Sequence, residues 1–156
     1  MAAYNKFNQF VQDVCSKVHN LGSDVLKLLL TNTSPNAADT VVDTTVTPDV
    51  IKSTSNAAEI AAGNGYVQNG TTITITTSSQ VAGTYTLAGN QVVFTASGGT
   101  IGPLRYVAFY NITGGAAATR PVIAWWDYGS SITLNDGETF TTKFNNANPG
   151  TIFTMA

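Results

Sequence analysis

The sequence predicts a mainly β fold: an antiparallel, jelly-roll-like β-sandwich with an N-terminal amphipathic α-helix, forming one domain over residues 1–156. Three observations carry this. From Tyr66 onward, short runs rich in Thr, Val, Ile and aromatic residues recur about every 8–12 residues, with turn chemistry between them. Helical periodicity is well developed only near the N-terminus. Strands do not alternate with long helices, which argues against a doubly wound fold.

Taken in order, residues 1–22 form the helical segment. Phe7, Phe10, Val11, Val14, Val18 and Leu21 recur at spacings of three and four and share one face, and Asn20 and Gly22 supply a stop signal. Such a stripe must cover a sheet or a neighbouring subunit. Asp24 to Thr31, with Leu26 and Leu28-Leu29-Leu30, reads as a buried strand, with continued helix as the competitor. Residues 32–55 read as an extended loop excursion with at most a short strand. Asn56 to Ala62 reads as one or two helical turns ended by Gly63-Asn64-Gly65.

Residues 66–156 are the main β region. Thr72 to Thr77 alternates polar and apolar residues at period two. Thr84–Leu87 and Gln91–Ala96 flank Ala88-Gly89-Asn90 and read as a hairpin. Ile132–Leu134 and Thr139–Phe144 read likewise around Asn135-Asp136-Gly137-Glu138. Leu104–Asn111 and Pro121–Tyr128 are the strongest strands, and Thr151–Thr154 forms a short last one.

Composition bounds the function. Charged residues are 10% of the chain and hydrophobic residues 43%, against about 25% charged in a typical domain. A neutral Thr/Ser/Asn surface suits a module packed against copies of itself or a partner. The net charge is −2 and the seven basic residues are scattered, so no nucleic-acid partner is expected. The longest aliphatic run, broken by Lys27, is far shorter than the ~20 residues of a membrane span. The N-terminus lacks the apolar stretch of a signal peptide, so a soluble, unexported protein is expected.

Candidate chemistry is sparse. Cys15 is the only cysteine and reads as a small buried apolar residue; His19 is the only histidine. Four residues apart on a helix, they make a weak candidate for a nucleophile–base pair. Further Cys/His ligands for zinc are lacking, and Asp136-Gly137-Glu138 lacks the spaced oxygens of a calcium loop. No catalytic, metal or cofactor residues are therefore assigned, and the chain reads as a non-enzyme. Asp127 lies beside Trp125, Trp126 and Tyr128, an aromatic set able to form a glycan platform. The competing reading makes one Trp core, its neighbour outward-facing, and Asp127 a salt-bridge partner of Arg105 or Arg120.

Several blocks carry a resemblance. They are Leu29 to Asn36, Glu59 to Tyr66, Val93 to Pro103 with Arg105-Tyr106, Trp126 to Leu134, and Asp136 to Glu138. Together they resemble a group of small structural proteins of tailed phages and prophages. The resemblance implies a virion protein made in the bacterial host cytoplasm. Its first expected role is capsid decoration or cement, a homo-oligomer (trimer favoured) bound to the major capsid protein. A tail, baseplate or fibre-adaptor part is the second, and a carbohydrate-binding or adhesin module the alternative. Tyr4, Phe7, Phe10, Val11 and Val14 are the expected interface.

Overall fold

The computed structural model describes residues 3–156. In chain order, the described residues form β1 (Tyr4–Lys6), α1 (Asn8–Cys15), β2 (Leu26–Thr31), β3 (Val41–Asp43), β4 (Val50–Lys52), β5 (Ala57–Ala58) and β6 (Thr71–Thr72). There follow β7 (Ile75–Val81), β8 (Thr84–Gly89), β9 (Val92–Thr95), β10 (Ile101–Asn111), a 3-10 turn (Ala117–Thr119), β11 (Arg120–Leu134), β12 (Thr139–Thr142) and β13 (Gly150–Met155). The protein is 50% strand and 7% helical, with antiparallel pairing, as the sequence predicts.

The largest sheet runs β5-β4-β3-β11-β10-β2-β6, with β1 added on β11. At its centre, side chains line up in rows across three strands: Leu28–Phe109–Ala124, Leu29–Ala108–Trp125 and Leu30–Val107–Trp126. Alternation sends successive rows to opposite faces, and both faces are buried. Leu28, Leu30, Val107, Phe109 and Ala124 join Leu87, Val92, Phe94, Ile152 and Phe153 in the principal core. These partners come from two small sheets, β13-β8-β7 and β12-β9, which form the facing layer of the sandwich. Leu29, Ala108, Tyr110 and Val122 face the other way, into a smaller core closed by Phe7, Val42, Ile51 and Ala57. Two-sided burial explains the unbroken Leu28-Leu29-Leu30 run, which a half-solvated strand would not carry.

Four local expectations need correction. The helix is much shorter than residues 1–22. Its C-terminus is a Schellman motif: the Lys17 N–H donates to the Val14 carbonyl (3.3 Å) and the Val18 N–H to that of Asp13 (2.9 Å). Lys17 takes the left-handed conformation (φ 61°) that glycine usually supplies, so no Gly marks the stop. Tyr4–Lys6 form β1 instead, and the expected helical residues 1 and 2 lie outside the described residues.

The second correction concerns residues 56–62, which form no helix: Asn56 is left-handed (φ 48°), β5 pairs β4, and Glu59 bridges to Thr31. Third, the excursion 32–55 contains two strands and is clamped by the buried Asp39. That carboxylate accepts hydrogen bonds from the N–H groups of Asn36 (2.8 Å), Thr54 (2.7 Å) and Ser55 (2.8 Å), and from the Ser55 hydroxyl (2.5 Å). Burial pushes its pKa up, but the Ser55, Asn36 and Thr54 donors outweigh it and hold the carboxyl below its usual range.

Finally, neither predicted hairpin forms. β8 pairs with β7 and β13 while β9 pairs with β12, and β11 and β12 belong to different sheets. The turns are real, but at each of them the chain passes from one sheet to another. The β7–β8 hairpin turns instead through Ala82 (φ 49°) and Gly83 (φ 86°), both left-handed as a type I′ turn demands.

Candidate functional site

The residues expected at an interface divide sharply. Phe7 and Phe10 are 0% and 2% exposed. Phe7 lies 4.6 Å, ring to ring, from Trp125, and Phe10 stacks edge-on to Phe153 at 5.5 Å. The helix therefore packs on its own sheet, and these two rings are core residues, not contacts for a partner. Val14 is half-buried against the principal core and Tyr4 packs there too, while Val11 is 50% exposed.

The aromatic set divides in the same way. Adjacent strand residues point to opposite faces, so Trp125 goes to the small core with Phe7 and Trp126 to the other side, between Tyr4 (5.7 Å) and Phe144 (5.5 Å). Both are half-buried, so neither fully faces out. Asp127 accepts from Arg105 Nε (2.8 Å) and Nη2 (2.9 Å), a two-pronged salt bridge that holds its carboxyl below the usual range. Of the two arginines weighed, Arg105 is the partner. Arg120 donates to the carbonyls of Gly114 and Gly115.

Trp126 and Tyr128 do share a feature. A cleft of about 480 Å³ opens where the three sheets meet. β1, β10 and β11 supply Tyr4, Val107, Trp126 and Tyr128; β12 and the following turn supply Phe140 to Asn146; β13 supplies Thr151 to Thr154. Tyr128 is 53% exposed and meets Phe140 edge-on at 5.6 Å.

Cys15 and His19 do not form a pair. Cys15 is exposed, contrary to the expected burial. The His19 side chain is fully buried beyond the helix end, against Phe10 (5.3 Å) and Asn111. Among the described residues, no three His, Cys, Asp or Glu side chains gather as metal ligands would, and no helix is long and apolar enough to cross a membrane.

Sequence reasoning missed a buried polar network beneath the excursion. Tyr66 donates to Glu59 Oε1 (2.6 Å) and accepts from the Leu30 N–H (3.0 Å). The Asn69 amide donates to both oxygens of Asp49 (2.9 and 2.8 Å), and Tyr110 donates to the Asn69 carbonyl (2.8 Å). Burial, helped by the Asp49 charge, raises the Glu59 pKa against the opposing Tyr66 hydrogen bond. Gly70 completes the turn at φ +64°, where a Cβ would overlap the Leu28 carbonyl oxygen. The signal lay in Asn69-Gly70, a turn dipeptide, but its buried partners are 10–41 residues away. Every group in this network is occupied with another, which is the arrangement of a structural brace.

One open feature remains at the surface. β7 is an edge strand hydrogen-bonded only to β8, and its sequence Ile-Thr-Thr-Ser-Ser-Gln-Val carries no charge and no proline. Val81 at its end is 74% exposed. Comparison with protein-family models, with curated proteins and with solved structures finds no match.

Proposed function

We propose that this chain is a non-enzymatic structural subunit of a tailed-phage particle, acting first as a capsid decoration or cement protein that binds its own copies and the major capsid protein. The observation that carries the assembly part is the β7 edge. Monomeric β proteins blunt such edges with Lys, Pro, bulges or a covering segment, because a free row of N–H and C=O groups is a template for another strand. β7 is seven residues long and uncharged, its one register irregularity falls at its start between Ile75 and Thr77, and the regular stretch from Thr77 to Val81 lies outside the core.

The phage part rests on the resemblance, and the roles of its residues support a structural reading. Within those blocks, Glu59 is hydrogen-bonded to Tyr66, Arg105 is paired with Asp127, and Gly98 N–H donates to Asp136 Oδ1 (2.7 Å). Each fixes one loop or strand to another. In a lattice, many weak contacts between such subunits would add up through multivalency.

The test is copy number in purified particles, by quantitative mass spectrometry against the major capsid protein. A count near that of the capsid subunit, or one trimer per local three-fold position, is expected for decoration. A far lower count moves the chain to the tail or baseplate, and absence from the particle overturns the proposal.

A further inference from the structure

We propose that the cleft between the three sheets binds a short, uncharged segment of saccharide. Sugars present two kinds of surface at once: apolar C–H faces and edges of hydroxyl groups. A site that takes them therefore needs exposed ring surface next to amide or hydroxyl side chains that are free to bond, and the cleft has both.

Trp126, Tyr128 and Phe140 give the ring surface, reached from the half-open side. Asn145, Asn146 and Thr151 also line the cleft, and their side chains make no hydrogen bond to any described residue. Asn145 and Asn146 both hold the left-handed conformation (φ 48° and 54°), which fixes the turn at the cleft that carries them. The lining contains no carboxylate, and Lys143 is its single charged residue. The volume of about 480 Å³ lies within the range of small-ligand sites, about 300–1,000 Å³. A fatty chain would want an enclosed, uniformly apolar tunnel, which a cleft rimmed by Asn and Thr does not offer.

The inference does not depend on the phage reading, since the cleft is lined by β1 and β10–β13 and the assembly edge is β7. The sheet itself provides a reporter. The chain has two tryptophans, and Trp125 lies on the far face of the sheet from the cleft. A Trp125→Phe protein thus leaves Trp126 as the only indole. Titrating it with maltohexaose, cellohexaose and chitohexaose should give a saturable fluorescence change for at least one of them. Calorimetry on the unaltered chain with the same sugars guards against misfolding of the variant. Tyr128→Ala, at an exposed position, should weaken binding about tenfold while leaving the unfolding curve in place, as expected for loss of one aromatic contact. The proposal is overturned if none of the three sugars binds the unaltered chain, if Tyr128→Ala binds equally well, or if sodium laurate binds in the cleft and the sugars do not.

Discussion

Asn111 shows how one buried side chain can set the state of another. It is fully buried, and its amide is used to capacity: Oδ1 accepts from the N–H groups of Thr113 and Gly114 (both 2.9 Å), and Nδ2 donates to Asp24 Oδ2 (2.6 Å) and His19 Nδ1 (3.2 Å). The two backbone donors fix which end of the amide is oxygen. His19 Nδ1 must then accept, so the neutral ring carries its hydrogen on Nε2, 3.9 Å from Asp13 Oδ2. Protonation would place a second hydrogen on Nδ1, facing the Asn111 NH₂. Burial lowers the His19 pKa, against the raising effect of the Asp13 and Asp24 charges. The folded pKa therefore lies below the unfolded value of 6.5. The unfolded chain takes up the proton first, so His19's contribution to stability is full above that value and declines as pH falls through it toward the folded pKa. His19→Gln, which keeps an acceptor and cannot be protonated, should be less stable than the parent by about 1 kcal/mol near pH 7.5. The gap should narrow near pH 5.5; urea titrations at the two pH values measure it, and a gap that stays constant would refute the lowered folded pKa. None of this was legible in the sequence. His19 read as a weak partner of Cys15 on one helix, because the side chain it meets stands 92 positions away.

At the scale of elements, the helical stripe was legible but its purpose was not. The spacing of Phe10 and Val14 locates the packed face of the helix, but it also places Val11 there, which is exposed, and periodicity says nothing about whose surface covers such a face. Here β1 adds to β11, turns the chain at Phe7, and lays α1 back across the sheet. Phe10→Ala should consequently cost about 3–5 kcal/mol by the cavity it leaves. Val11→Ala, on the exposed side, should stay within about 0.5 kcal/mol. Equal midpoints in chemical denaturation would show that the helix is not part of the core. The strands were legible wherever burial was strong: β2, β10 and β11 overlap the expected Asp24–Thr31, Leu104–Asn111 and Pro121–Tyr128, although β10 starts at Ile101 and β11 runs on to Leu134. Pairing was not legible at Gly89-Asn90 or Asn135–Glu138. A turn residue encodes a change of direction, not whether the next strand stays in the same sheet. The β7–β8 hairpin escaped notice for the opposite reason: Ala82 occupies a left-handed position where Asn or Gly is usual.

For the whole molecule, the decisive quantity is surface. The accessible area is 7207 Å², close to the roughly 7,500 Å² expected of a compact monomer of 16.3 kDa. The two cores close within one chain, so an assembly has to form through surface features that the fold leaves open. β7 is the feature that best meets this condition. Its N–H and C=O groups away from β8 have no strand partner among the described residues, and Thr77 and Ser79 are exposed beside them. With only 10% charged residues, little electrostatic repulsion keeps two such edges apart. Thr77→Lys together with Ser79→Lys would place two ammonium groups on one face of the edge, a device that natural sheets use against strand addition. Since both positions are exposed, the double variant should unfold within about 1 kcal/mol of the parent. Sedimentation at rising concentration should then show the parent associating and the variant remaining monomeric. Because the contact is made by backbone hydrogen bonds and neutral side chains, added salt should change the parent's association little. A parent that stays monomeric throughout, or a variant that associates equally well, would remove β7 as the assembly edge.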